Sequence, residues 1–258
     1  MKFPMKAERF KILILGAGGL ALALQRLLYS SGVDGRGLLE KGHWAAVTLW
    51  ILTAGVLAAV YLFTRKLEGP ADYADSHPAS VSAALGALAA MVGLGVTSVQ
   101  SFGEFSNRLT LLGWVLGVLS TVAFGCIGFC RLSGRKPHFL LHTGICLYFA
   151  LRMVTQYRLW SFEPQLIDYC FYLCAYVFLM LASYQQAAFD ADISNHKAAW
   201  FSGLISFYLC CLSLKGTPDT CLMLGCGIWV FTNLPKLHIR RRRQRPTLHA
   251  DAESAAEE

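Results

Sequence analysis

Residues 43–64 read HWAAVTLWILTAGVLAAVYLFT, without an aspartate, glutamate, lysine or arginine until Arg65-Lys66 closes the run. A helix needs about 20 such residues to cross a hydrocarbon core of roughly 30 Å. The same pattern recurs on both sides. Segment 10–30 (FKILILGAGGLALALQRLLYS) precedes it, and segments 79–100, 109–130, 138–159 and 165–189 follow. Segments 198–214 and 218–235 form a shorter, tight pair. The expected fold is therefore all-α, a polytopic transmembrane helix bundle of about eight spans, or six if the last pair is a re-entrant hairpin.

Composition agrees. The chain of 258 residues is 55% hydrophobic and 15% charged, where a soluble domain carries about 25% charged residues. The segments between spans are too short for a soluble module, which excludes a Walker-type nucleotide site or a kinase domain. Residues 1–237 are expected to form a single membrane domain, and 238–258 a cytoplasmic tail that turns from basic to acidic and stays disordered. None of the eight prolines falls deep inside a proposed span. Pro137, Pro164 and Pro218 stand at or just before helix starts, where a missing N–H costs nothing. No cleavable signal peptide is expected, because no small-residue cleavage site follows the first apolar run.

Orientation follows from the basic residues. Of 23 lysines and arginines, an N-in arrangement places 7 outside (Arg26, Arg36, Lys41, Arg108, Arg152, Arg158 and Lys215) and the other 16 inside. That asymmetry predicts both termini in the cytoplasm. The net charge of +7 flanks apolar spans instead of forming a basic face on a soluble core, so nucleic acid is not the expected partner. Anionic lipid headgroups are, at the run Arg240, Arg241, Arg242 and Arg243.

Two local patterns have plain structural readings. Gly16-Ala-Gly18-Gly-Leu-Ala21 resembles a dinucleotide fingerprint, but no strand–turn–helix unit surrounds it, and small-residue helix packing explains it better. Small residues at Ser82, Gly86 and Ala90, and at Gly113, Gly117, Thr121 and Gly125, form ridges that predict close packing of spans three and four. All nine cysteines fall within spans, where they act first as small packing residues. Trp44, Trp160 and Trp200 mark span ends as interfacial anchors.

Polar residues inside spans are the functional signal, because charge at depth costs about 2.5–3.5 kcal/mol on insertion scales. His138, Tyr148, Arg152, Thr155 and Gln156 share one side of span five. Asp168, Tyr172, Ser183, Gln186 and Asp190 share one side of span six, and Gln25 and Arg26 stand at similar depth on span one. The expected site is an outward pocket lined by Arg26, Arg152, Gln156, Asp168 and Tyr172, suited to a small anionic or zwitterionic solute. A structural ion pair with a snorkelling arginine accounts for the same residues. A second constellation, Cys126 and Cys130 with His138 and His142, has i, i+4 spacing in each pair and could supply thiolate and imidazole ligands to a metal or haem. It is the alternative reading. No catalytic residue and no cofactor are expected.

The stretch Val33-Asp34-Gly-Arg-Gly-Leu-Leu-Glu-Lys-Gly-His43 before span two, with Pro164-Gln165 opening span six, resembles small multi-pass proteins of bacterial cytoplasmic (inner) membranes that have no assigned activity. The resemblance implies a location and carries no substrate or catalytic residue. Three function classes remain: a solute-binding or transporting protein using the Arg152 region, a non-catalytic sensor or accessory subunit with a membrane protein partner, and a membrane enzyme or metalloprotein built on the cysteine–histidine set.

Overall fold

The computed structural model describes residues 3–32, 43–65, 67, 76–103, 108–160, 170–193, 195–214 and 219–236. Among them are eight helices and no strand. In chain order these are α1 (Phe3–Ser31), α2 (Trp44–Thr64), α3 (Val81–Gln100), α4 (Arg108–Ser133), α5 (Phe139–Trp160), α6 (Cys170–Asp190), α7 (His196–Leu212) and α8 (Thr220–Thr232). Each corresponds to one expected apolar segment. Helix α1 begins earlier than its apolar run, with Pro4 in its first turn, where proline is tolerated.

Local chemistry sets the ends. Ser80 accepts from the Ala83 N–H and Asn195 from the Ala198 N–H, capping α3 and α7. Helix α4 stops at Gly134, whose φ of 64° is left-handed, and the Arg135 N–H returns to the Cys130 carbonyl at 3.0 Å. That 6→1 bond is a Schellman termination. Helix α6 ends the same way at Asp192, φ 61°, with the Ile193 N–H on the Ala188 carbonyl at 2.8 Å. Asp192 is a non-glycine residue in that region, and its carboxylate is anchored 2.6 Å from Lys136 Nζ on the α4–α5 turn.

Helices α3 to α8 close into a ring in chain order, each on the next and α8 back on α3, while α1 and α2 lie outside it against each other and α7. The seam between α3 and α8 is the tightest. A Cβ at Gly93 would sit 2.3 Å from the Cys221 carbonyl oxygen, and one at Gly225 2.4 Å from that of Ala89. The expected small-residue ridge of span three thus faces mainly α8. Glycines of α4 do serve α3: a Cβ at Gly125 would meet Met91 Sδ at 3.1 Å, and one at Gly117 would meet Ser98 Oγ at 3.0 Å. Sequence spacing finds the ridge but not which neighbour uses it.

Polarity is distributed inside-out. Ile51, Val99 and Phe129 are 68%, 76% and 65% exposed, whereas Arg131, His142, Gln186, Asp190, Asp219 and Asn233 are buried. An apolar perimeter, with charged groups confined to clusters inside an otherwise apolar core, suits a lipid surrounding. Five helices, α1 (over Ala7–Ser31), α2, α3, α4 and α6, are long and apolar enough to cross a membrane. Helix α5 carries more polar residues. Helices α7 and α8 have 17 and 13 residues, and 13 residues reach only about 20 Å. The start of α1 and the segment after α8 lie together: Glu8, Lys11 and Lys236 line one cleft. This is the proximal end, and the other is the distal end.

Candidate functional site

Two buried carboxylates organise the polar interior, one at each end of the ring. The distal one is Asp219, at the N-cap position of α8 and 4% exposed. It makes no side-chain cap bond to its own helix, because donors from α5 and α6 take its oxygens. Arg152 Nη2 donates to Oδ1 at 2.7 Å. Gln156 Nε2 and the Tyr176 hydroxyl donate to Oδ2 at 3.3 and 3.1 Å, and the Tyr172 hydroxyl makes a short bond to the same oxygen. The spacing is helical. Arg152 and Gln156 are one turn apart on α5, as are Tyr172 and Tyr176 on α6, so each helix offers two donors at successive levels. The N-terminus of α8 adds its own partial positive charge beside the carboxylate.

Three of the five expected pocket residues, Arg152, Gln156 and Tyr172, therefore do converge. Their acid is Asp219 instead of the expected Asp168, which lies outside the described residues. Arg26 is exposed on α1, which packs on α2 and α7, so the structure leaves it out of the cluster. Asp219 escapes a reading that pairs neighbours in sequence. One signal does mark it: it is the single acidic residue between Asp192 and Asp251, and it directly precedes an apolar run.

Within the distal cluster the carboxylate accepts four bonds, three of them on Oδ2, whereas the guanidinium is only partly used. Arg152 Nε is buried without a hydrogen-bond partner among the described residues, and the bond to Asp219 uses one of five N–H donors. The Arg152 side chain is 25% exposed against 5% for Asp219. The arrangement can hold an arginine in a fixed place and leave part of its donor fork for an incoming anion.

The proximal cluster centres on Asp190, the last residue of α6. Its Oδ2 lies 2.6 Å from His142 Nδ1 on α5, both side chains being 0% exposed. The His142 ring stacks on Trp229 of α8, centroids 6.1 Å apart at 22°. One turn from Asp190, Gln186 accepts from Arg131 Nη2 at 3.0 Å and donates to the Asn233 carbonyl at 3.0 Å. Asn233 Nδ2 crosses to the Ala83 carbonyl at 3.0 Å. His77 and His196 both meet the Phe189 ring edge-on. Burial, and next the Arg131 guanidinium, hold the His77 imidazole well below the ordinary histidine range.

These contacts decide where the cysteine–histidine set stands. His142 is committed to Asp190, His138 is exposed beside Phe139 and accepts the Leu140 N–H at 3.3 Å, and Cys126 is exposed. Among the described residues no three of histidine, cysteine, aspartate and glutamate come together in a way that could hold a metal ion. All nine cysteines are free thiols.

The chain matches no family model, no curated protein and no solved structure.

Proposed function

We propose that this protein is an eight-span integral membrane protein, both ends cytoplasmic, that binds a small anionic solute at its outward, distal end through Arg152. The observation that carries the solute reading is the imbalance within the distal cluster. Among the described residues, Asp219 accepts from four side chains, whereas Arg152 gives it one bond and keeps a buried Nε and part of its surface uncommitted. A carboxylate already ringed by four donors is poorly placed to receive an ammonium group, while a guanidinium fork suits a carboxylate bidentately. The cluster therefore favours an anion over a zwitterion.

The topology rests on the basic-residue asymmetry together with the shared location of the start of α1 and the end of α8. The short α7 and α8 cross within a ring that shields them. The tail arginines Arg240, Arg241, Arg242 and Arg243, outside the described residues, lie against anionic headgroups of a bacterial cytoplasmic membrane in this reading.

Thermal unfolding of the purified protein with a panel of small mono- and dicarboxylates and amino acids tests the solute. At least one carboxylate is expected to raise the midpoint by mass action, and Arg152→Lys to remove that rise with the fold intact. A flat panel, or an unchanged rise in Arg152→Lys, would end this reading. Fluorescent and phosphatase reporters fused after Glu258 test the topology, the cytoplasmic reporter alone being expected to work.

A further inference from the structure

Asp190 and His142 leave two buried atoms open. Asp190 Oδ1 and His142 Nε2 have no hydrogen-bond partner among the described residues, although both side chains are fully enclosed. A buried polar atom left unsatisfied carries its full desolvation penalty, and native folds keep few of them. The Nδ1···Oδ2 contact selects the tautomer by geometry: a neutral ring donates Nδ1–H to the carboxylate, and its Nε2 then carries a lone pair.

We propose that His142 and Asp190 form a proton-binding site inside the bundle. Nε2 of His142 takes one proton from the aqueous phase while Nδ1–H stays on Asp190, so the pair passes from imidazole–carboxylate to imidazolium–carboxylate. The groups around it are few. Helix α4 contributes the Arg131 guanidinium and the Cys130 thiol, and the segment before α3 contributes His77. Helix α7 brings His196. Helix α8 brings the uncharged Trp229 and Asn233, with Cys226 one turn further in. With His77 held neutral by burial and by Arg131, the charges of Arg131 and Asp190 offset one another, and the proton on His142 changes the net charge of the enclosed cluster by one.

A cleft approaches the pair without reaching it. A cleft of about 360 Å³ at the proximal end is lined by His77, Arg131 and Asn233, with the exposed Lys236 at its rim. Its lining residue Asn233 stands one helical turn from Trp229, on which His142 stacks, so a proton taken up by Nε2 has the remaining distance to cross through a fluctuation of the bundle. Trp229 also makes the event visible, because an imidazolium stacked on an indole is a cation–π contact and quenches indole emission.

The test uses the full-length protein in detergent micelles, with no solute added, so its result is separate from that of the Arg152 reading. Tryptophan emission and the ring resonances of ¹⁵N-histidine are followed from about pH 8 to about pH 5, the window in which histidine charge changes. A reversible loss of emission is expected, with the His142 Nε2 resonance moving at the same midpoint. Trp229→Phe should remove the emission step and keep the His142 step, and Asp190→Asn should move the midpoint by at least about one pH unit. If His142 does not titrate in folded wild-type or Trp229→Phe protein, or if its midpoint is indifferent to Asp190→Asn, the proposal is overturned. If Asp190→Asn does not fold, the wild-type and Trp229→Phe titrations alone decide it.

Discussion

Among the described residues the ring holds two enclosed aspartates, and they are treated in opposite ways. Asp219 is surrounded by a guanidinium, an amide and two phenols, all donors. Among the described residues Asp190 has one hydrogen-bond partner, an imidazole that can itself gain a proton, and one open oxygen. Burial of a carboxylate is tolerated where fixed donors answer both oxygens, and the result is a rigid joint. Where the donor set is incomplete and titratable, the same burial creates a group whose charge can change. The difference lies in the partners' chemistry, since both aspartates sit at a helix terminus and both are nearly sealed from solvent.

The sharpest way to break that contrast is to remove the distal acid. Asp219→Ala strands Arg152 with its charge uncompensated in the interior, and truncating one partner of a buried pair costs about 3–5 kcal/mol. Chemical or thermal unfolding in micelles should show this as the largest loss of any single substitution in the two clusters. Asp190→Ala also removes the charge that offsets Arg131, but it breaks no bond to that guanidinium, which donates to Gln186, and should cost less. Equal losses for the two alanine variants would dissolve the distinction between a rigid joint and a titratable pair.

Helix α8 connects the two clusters, carrying Asp219 at one end and Trp229 and Asn233 at the other. Gly225 lies between them, and a Cβ there would stand 2.4 Å from the Ala89 carbonyl oxygen and 3.0 Å from its carbon. Backbone cannot yield as a side-chain tip does, so Gly225→Ala is expected to push α8 from α3 at a cost of about 1–3 kcal/mol, as overpacking does. Gly55→Ala, where a Cβ meets nothing within 4 Å, is the matched control and should gain about 0.5–1 kcal/mol of helix stability. Unfolding midpoints of the pair measure the difference. Comparable midpoints would mean that the two ends of the ring are not held in register by this seam.

Much of the distal site is legible in the amino-acid sequence, and the part that is not has a physical cause. Arg152, Gln156 and Tyr172 can be found because polar side chains at helical spacing in apolar runs must face inward together. Asp219 cannot be paired with them in that way. Ring closure brings it to Arg152 across 67 residues of chain, and periodicity carries no information about which helices close a ring. Closeness in sequence points to Asp168 instead, and depth in the span points to Arg26, although depth says nothing of direction around the bundle. For His142 the i, i+4 spacing places it on one face with His138, but His138 stands before the first residue of α5 and is exposed, while His142 turns to α6 and α8, away from a shared ligand set with Cys126. The helices themselves are legible almost segment for segment, because hydrophobic length is a local property.

A finer probe separates the donors on Asp219. Tyr176→Phe removes one hydroxyl from an oxygen that keeps two other donors, so the loss should fall near or below the roughly 1.5–3 kcal/mol of a hydrogen bond to a charged group. Gln156→Leu, whose bond is longer at 3.3 Å, should lose less again. Reversal of that order in unfolding experiments would mean that the amide, not the phenols, completes the carboxylate's shell.

The smallest effect belongs to His77 and depends on pH. Its imidazole is held well below the ordinary range by burial first and Arg131 second, so the unfolded chain binds a proton more readily than the folded one. For a histidine with a lowered folded value the sign is fixed: the native state loses nothing above the unfolded value of about 6.5, and loses stability as pH falls below it. One such group contributes a slope of at most about 1.4 kcal/mol per pH unit. Replacing it by His77→Gln should flatten the acid side of the stability curve by up to that slope and leave the curve above about pH 7 parallel to wild type. The contrast with the proximal pair is then direct. His77 makes acid destabilising through the unfolded state, whereas protonation of His142 changes the native state itself, and only the latter alters tryptophan emission in protein that remains folded.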